Sequence, residues 1–234
     1  MDRRDFRVVL AGCRRAARAP TADRARPRAW RWRAIAALLA GVWAVSCTPG
    51  RAPLTVAMMF TNSWRVGGEL LTQAEQARLE QAAFDAMRAA FTGFDLVVAE
   101  RPSDGARTIR VEDTPYGRRL DFGATGVTYP ASRTSSVRFD VLANVELAVL
   151  HCRDISHCPG ASRAALVEGL GRGVGATAAH ELGHQSGFEF THDSRCDDCY
   201  DGTASTSYAH FFGSKHWSAA ALEIMRRTLH PTGP

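Results

Sequence analysis

From Leu54 onward, short apolar runs alternate with longer stretches whose apolar positions fall at helical spacing. Leu54 to Phe60 is a continuous apolar run of strand length. Leu71, Leu79, Ala83, Met87 and Ala90 then form a stripe that recurs at helical intervals. Thr72 stands where an N-cap belongs and Glu75 follows three residues later, so the pattern predicts a helix from Thr72 to about Ala90. Phe94 to Glu100, Thr108 to Glu112, Gly123 to Tyr129 and Val137 to Leu142 read as further strands, the last alternating enough for one wet face. Near the end, Ser218 can cap a helix from Ala219 to about Leu229, with Leu222, Met225 and Leu229 facing inward. No internal repeat interrupts this order.

Between the strands and the last helix lies the stretch with chemistry in it. A helix is expected to begin between Ser162 and Gly175 and to end at Ser186. Gly169, Gly171, Gly173 and Gly175 weaken its first half. They have the look of a phosphate loop, but no lysine follows and no strand leads in, which argues against a nucleotide site. Its second half reads His180-Glu181-Leu182-Gly183-His184. Residues i and i+4 of a helix share one face, so two imidazoles at this spacing can grip one zinc ion. Glu181 is then positioned to take a proton from the attacking water. Gly187 suits the left-handed conformation that ends a helix and turns the chain back. His192 follows and can complete a three-histidine site with an open fourth position.

Through Gly187 this stretch matches the signature H-E-x-x-H-x-x-G-x-x-H, and the chain resembles the metzincin clan of zinc peptidases. Two departures stand out. The clan's third histidine would fall at Phe190, and the nearest histidine here is His192, two residues later. Asp193 and Glu223 are the substitutes if His192 is not the third ligand. Ala204 to Tyr208 is similar to the clan's methionine turn, with Thr206 in place of the methionine and Tyr208 retained. By that resemblance Tyr208 is a candidate for stabilising the oxyanion; its alternative is a turn tyrosine packed on the core. The resemblance implies an α+β fold over roughly residues 54 to 230. It would be a twisted, mostly parallel sheet of about five strands, with a packing helix, an active-site helix and a C-terminal helix. It implies a metalloendopeptidase acting on a protein or peptide, with Zn²⁺ on His180, His184 and His192 and Glu181 as general base. It further implies that the strand near Val137 to Leu142 pairs with extended substrate. Two rival functions stay open: a non-catalytic envelope lipoprotein that binds a partner or metal, and a zinc hydrolase of a non-peptide amide.

Charge divides the chain. Residues 1–33 hold eleven arginines against three aspartates, and the remainder carries 18 basic and 21 acidic residues. The net +5 of the 234-residue chain therefore belongs to its leader, and the body lacks the basic excess of a nucleic-acid binder. Arg28, Arg31 and Arg33 precede the uncharged run Ala34 to Val45, which is followed by Ser46-Cys47. That is a signal-peptide layout, too short for a comfortable membrane span. Ala44-Val45-Ser46-Cys47 resembles a bacterial lipobox, implying cleavage before Cys47 and a lipid anchor in the cell envelope; simple secretion and an uncleaved anchor are the alternatives. The expected organisation is a leader over 1–46, a tether over 47–53 and a zinc-peptidase-like domain over 54–234, expected to act as a monomer.

Four cysteines remain in the body: Cys152, Cys158, Cys196 and Cys199. Export to an oxidising compartment favours two disulfides, with neighbour pairing preferred. The competing expectation is a second, structural zinc held by all four thiolates. His151 and His157 lie in no recognised ligand spacing and are expected to be ordinary loop histidines.

Overall fold

The apolar run at the start of the domain forms strand β1 (Leu54–Phe60), whose Val56, Ala57 and Met58 are buried in the core. The computed structural model describes residues 52–114, 124–128, 133–187, 192, 195–202 and 207–229. The leader, Cys47, Phe190, Asp193 and Thr206 lie outside the described residues.

β1 pairs in parallel with β4 (Leu96–Ala99) on one side and β5 (Arg107–Glu112) on the other. β5 pairs in parallel with β7 (Thr134–Arg138), and β6 (Gly126–Thr128) closes that side in the antiparallel sense. The order is β4-β1-β5-β7-β6, so β4 and β6 are the edges. A small hairpin, β2 (Arg65–Val66) and β3 (Glu69–Leu70), turns on Gly67 and Gly68, both at positive φ. The described helices are α1 (Gln73–Ala90), α2 (Phe139–Val149), α3 (Arg163–Gln185), α4 (Tyr208–Phe212) and α5 (Ala219–Thr228). The fold is α+β with a mostly parallel five-stranded sheet, as expected. Among the described residues no helix is long and apolar enough to cross a membrane.

α1 begins as its capping box predicts. Thr72 Oγ1 accepts from the Glu75 amide at 3.3 Å, and Glu75 Oε2 accepts from the Thr72 amide at 2.8 Å. The same Glu75 carboxylate pairs with Arg163 Nε at 2.6 Å, joining the first turns of α1 and α3. That guanidinium and the Thr72 amide pull the Glu75 pKa down to about 2.

Of the strand expected over Val137 to Leu142, only Val137 and Arg138 are extended. β7 ends at Arg138, and Phe139 opens α2 directly. Phe139, Leu142, Ala143 and Leu147 are all buried, which is helical spacing rather than alternation. Six residues were too few to separate the two periods. β7 also lies between β5 and β6, so its backbone groups are already paired and an extended substrate has no place on it. The free edge on that side belongs to β6.

α3 is buried almost all round, from Leu166 to Gly183. Its glycines are contact points, not weak spots. A Cβ on Gly171 would stand 2.5 Å from the Leu79 carbonyl and 2.7 Å from Ala82 Cβ, and Gly175 meets Ala83 and Ala86 of α1 in the same way. On another side, Gly169 and Gly173 give room to the rings of Phe212 and Phe211. Removing side chains lets two helix backbones approach closely, and the packing offsets the roughly 1 kcal/mol each glycine costs in helix propensity. Leu166, Leu170 and Leu182 are fully buried, each contributing on the order of 2 kcal/mol. The C-terminal end of α3 is pinned to the sheet: Gln185 Nε2 donates to Ser135 Oγ at 2.6 Å, and Arg107 Nη1 donates to Ser186 Oγ at 2.7 Å.

Candidate active site

α3 carries His180 and His184 one turn apart, and their Nε2 atoms lie 3.0 Å from each other. The helix ends at Ser186, and Gly187 takes φ +113°, the left-handed turn expected of it. The chain then returns His192, whose Nε2 lies 3.2 Å from that of His180 and 3.1 Å from that of His184. The His180 and His192 rings are nearly parallel, with His184 almost perpendicular to both. His192 is exposed, so the cluster opens to solvent.

Three nitrogens this close pose a problem that protons alone do not solve. Each Nε2 is either a donor or an acceptor, so among three mutual contacts at least one pairs two alike. His180 Nδ1 donates to the Tyr200 carbonyl at 2.7 Å, which directs the lone pair of its Nε2 into the cluster. Burial pushes the His180 pKa down to about 4 against that hydrogen bond, so the ring is neutral near pH 7. A tetrahedral zinc with Zn–N of about 2.0–2.1 Å holds its nitrogens about 3.3–3.4 Å apart. The observed separations fit that donor set.

Glu181 is buried at 4 % exposure. Its Oε2 accepts from Thr128 Oγ1 on edge strand β6 at 2.6 Å, and Thr128 in turn lies 2.7 Å from Ser135 Oγ on β7. Gly126 leaves the space the carboxylate occupies, since a Cβ there would run into it. Burial pushes the Glu181 pKa up to about 7; the Thr128 hydrogen bond and the Arg138 charge oppose the rise.

Of the remaining expected site residues, Tyr208 opens α4 with 59 % of its surface exposed and its ring stacked on Phe212. Glu223 is exposed on α5 and ion-paired with Arg227, and it is not among the donors gathered with His180 and His184. His157 lies beside Asp154, its Nδ1 2.8 Å from the carboxylate, as an ordinary loop histidine would.

The four cysteines form two separate disulfides, Cys152–Cys158 and Cys196–Cys199, the neighbour pairing expected. Among the described residues, Cys152 and Cys158 do not gather with Cys196 and Cys199 into one group of metal donors. Cys196 and Cys199 instead gather Asp198 and His216.

Sequence reasoning missed Thr128, Gly126 and the Tyr200 carbonyl. None belongs to a motif, and each acts by being brought next to α3 from a distant part of the chain. The chain matches no protein-family model, no curated protein and no solved structure.

Proposed function

We propose that this chain is a zinc-dependent endopeptidase of metzincin type. The observation that carries the proposal is the convergence of three Nε2 atoms within 3.2 Å of one another, two of them on a helix that also carries a buried glutamate. His180, His184 and His192 would hold the ion. When bound, zinc supplies Lewis acidity, polarising a carbonyl and acidifying water. Glu181 accepts the proton of the attacking water and returns it to the leaving amine, a role suited to a carboxyl tuned near neutrality. Thr128 holds that carboxyl in one orientation, and the Tyr200 carbonyl holds the tautomer of His180. Edge strand β6 ends on Thr128, so an extended peptide paired along it would run past Glu181. Tyr208 keeps its candidate role as oxyanion donor through the resemblance, with an exposed phenol at the start of a short helix.

Export fits the two disulfides, and the leader's layout supports lipidation at Cys47. The deciding experiment measures zinc per chain by elemental analysis and cleavage of a broad peptide library by the full chain. Glu181→Ala is expected to keep zinc and lose turnover. Full activity in that variant would overturn the mechanism. Zinc without cleavage of any peptide would favour the non-catalytic lipoprotein.

A further inference from the structure

The segment that follows the histidine cluster packs a second group of donors. Cys196, Asp198, Cys199 and His216 each offer one atom, and these atoms all lie within 4.8 Å of one another. Cys199 Sγ is 3.5 Å from His216 Nε2, and Cys196 Sγ is 3.2 Å from Asp198 Oδ1. The arrangement is held by backbone. The His216 amide donates to the Asp198 carbonyl at 3.1 Å, and the Tyr200 amide donates to the His216 carbonyl at 2.7 Å. His216, distant in sequence, is thereby fixed against the Cys-x-x-Cys turn. Cys199 is buried, whereas His216 and Asp198 are exposed, so an ion can enter from solvent.

We propose that Cys196, Asp198, Cys199 and His216 form a second zinc site, open when the Cys196–Cys199 bond is reduced and closed when it is oxidised. Zn–S of about 2.3 Å and Zn–N of about 2.0–2.1 Å place sulfur and nitrogen about 3.5 Å apart in a tetrahedron. The Cys199–His216 separation already has that value. Two thiolates, one imidazole and one carboxylate make a closed four-ligand shell of the kind that holds structural zinc. The redox step balances simply. A dithiol reductant gives two electrons and two protons to the disulfide, breaking the sulfur–sulfur bond and becoming a disulfide itself. Zinc then displaces both thiol protons to solvent.

The two forms are alternative clamps on one turn. Its next residue, Tyr200, donates its amide to His216 and accepts from His180 Nδ1 through its carbonyl. Either clamp holds the carbonyl that orients the first histidine of the other cluster. The site goes beyond the peptidase reading and does not depend on it.

The test uses the full-length protein, oxidised or treated anaerobically with a dithiol, then loaded with Zn²⁺ alone and, separately, with Co²⁺. The reduced protein is expected to take one zinc more than the oxidised protein. Its cobalt form is expected to show a thiolate-to-metal charge-transfer band that the oxidised form lacks. His216→Ala and Cys196→Ser should each lose the extra equivalent and weaken or abolish that band. His180→Ala should leave the band intact, so failure at the histidine cluster is read separately. The proposal is overturned if reduction adds no zinc. It is also overturned if His216→Ala keeps the extra equivalent with an unchanged band, which would move binding to other thiols, or if reduction unfolds the chain before metal is added.

Discussion

The hydroxyl of Thr128 lies 2.6 Å from a carboxylate oxygen of Glu181, joining the edge strand of the sheet to the last turns of the helix that carries the histidines. The two residues are 53 positions apart, and the contact fixes the direction in which a buried carboxyl presents its other oxygen. Replacing Thr128 by valine keeps the shape and removes the donor. Thr128→Val is expected to lower kcat on a peptide substrate about 10–100-fold, with KM and zinc content little changed, because a positioned base contributes about 10²–10⁴ in rate. Thr128→Ser should restore most of the activity. Steady-state kinetics and elemental analysis check both, and an unchanged kcat in Thr128→Val would remove Thr128 from the machinery.

His192 and Glu223 separate two readings of the third zinc ligand. Loss of a supporting group around a metal typically weakens binding about 10–100-fold. His192→Ala is expected to exceed that loss in a chelator competition, since it removes a direct donor. Glu223→Ala should leave the affinity unchanged, as its carboxylate pairs with Arg227 on the surface. The opposite ranking would relocate the ligand.

Gly171 makes a prediction against helix propensity. Alanine favours a helix interior by about 1 kcal/mol over glycine. Here the added methyl would meet the Leu79 carbonyl at 2.5 Å, a backbone atom that cannot step aside. Gly171→Ala is expected to destabilise the fold by about 1–3 kcal/mol, the usual range for overpacking. Urea unfolding measures it, and a variant as stable as the parent would show that α1 and α3 can separate freely.

Glu146 should make stability fall with rising pH. It is fully buried on α2, with no side-chain hydrogen bond to either carboxyl oxygen among the described residues. Burial pushes its pKa up to about 9, only partly opposed by the charge of Arg172 and by the Leu170 backbone. The folded chain therefore keeps this proton while the unfolded chain, with a pKa near 4.5, releases it. Its contribution is fully present below about pH 4.5 and is lost progressively as the pH rises toward about 9. Glu146→Gln removes that loss and is expected to gain on the parent by a few kcal/mol between about pH 5 and pH 8. Denaturant melts at the two pH values read the difference directly. Parallel curves would mean that Glu146 is ionised in the folded protein.

Several features were legible because their physics is local. Thr72 and Glu75 announced the start of α1, since a capping box needs only residues three apart. His180, Glu181 and His184 announced a shared helical face, and Gly187 the turn after it. Neighbour pairing of the cysteines also followed from short spacing. The start of α3 was not legible, because a helix buried on almost every side has no apolar stripe to detect. The junction of β7 and α2 is illegible for a related reason: Phe139 to Leu142 follow β7 without a break, and both elements are apolar there.

The sequence by itself determined which donors exist and which of them share a helix face, because i, i+4 geometry is set by the backbone. Only the tertiary structure decided that His192, displaced by two residues, still reaches the other two imidazoles. It also decided that Thr128 meets Glu181, that Tyr200 orients His180, and that His216 joins the Cys196–Cys199 turn. Those contacts depend on strand order and on how closely α1 and α3 pack. Both are settled by burial summed over the whole core, which no short segment of the chain encodes.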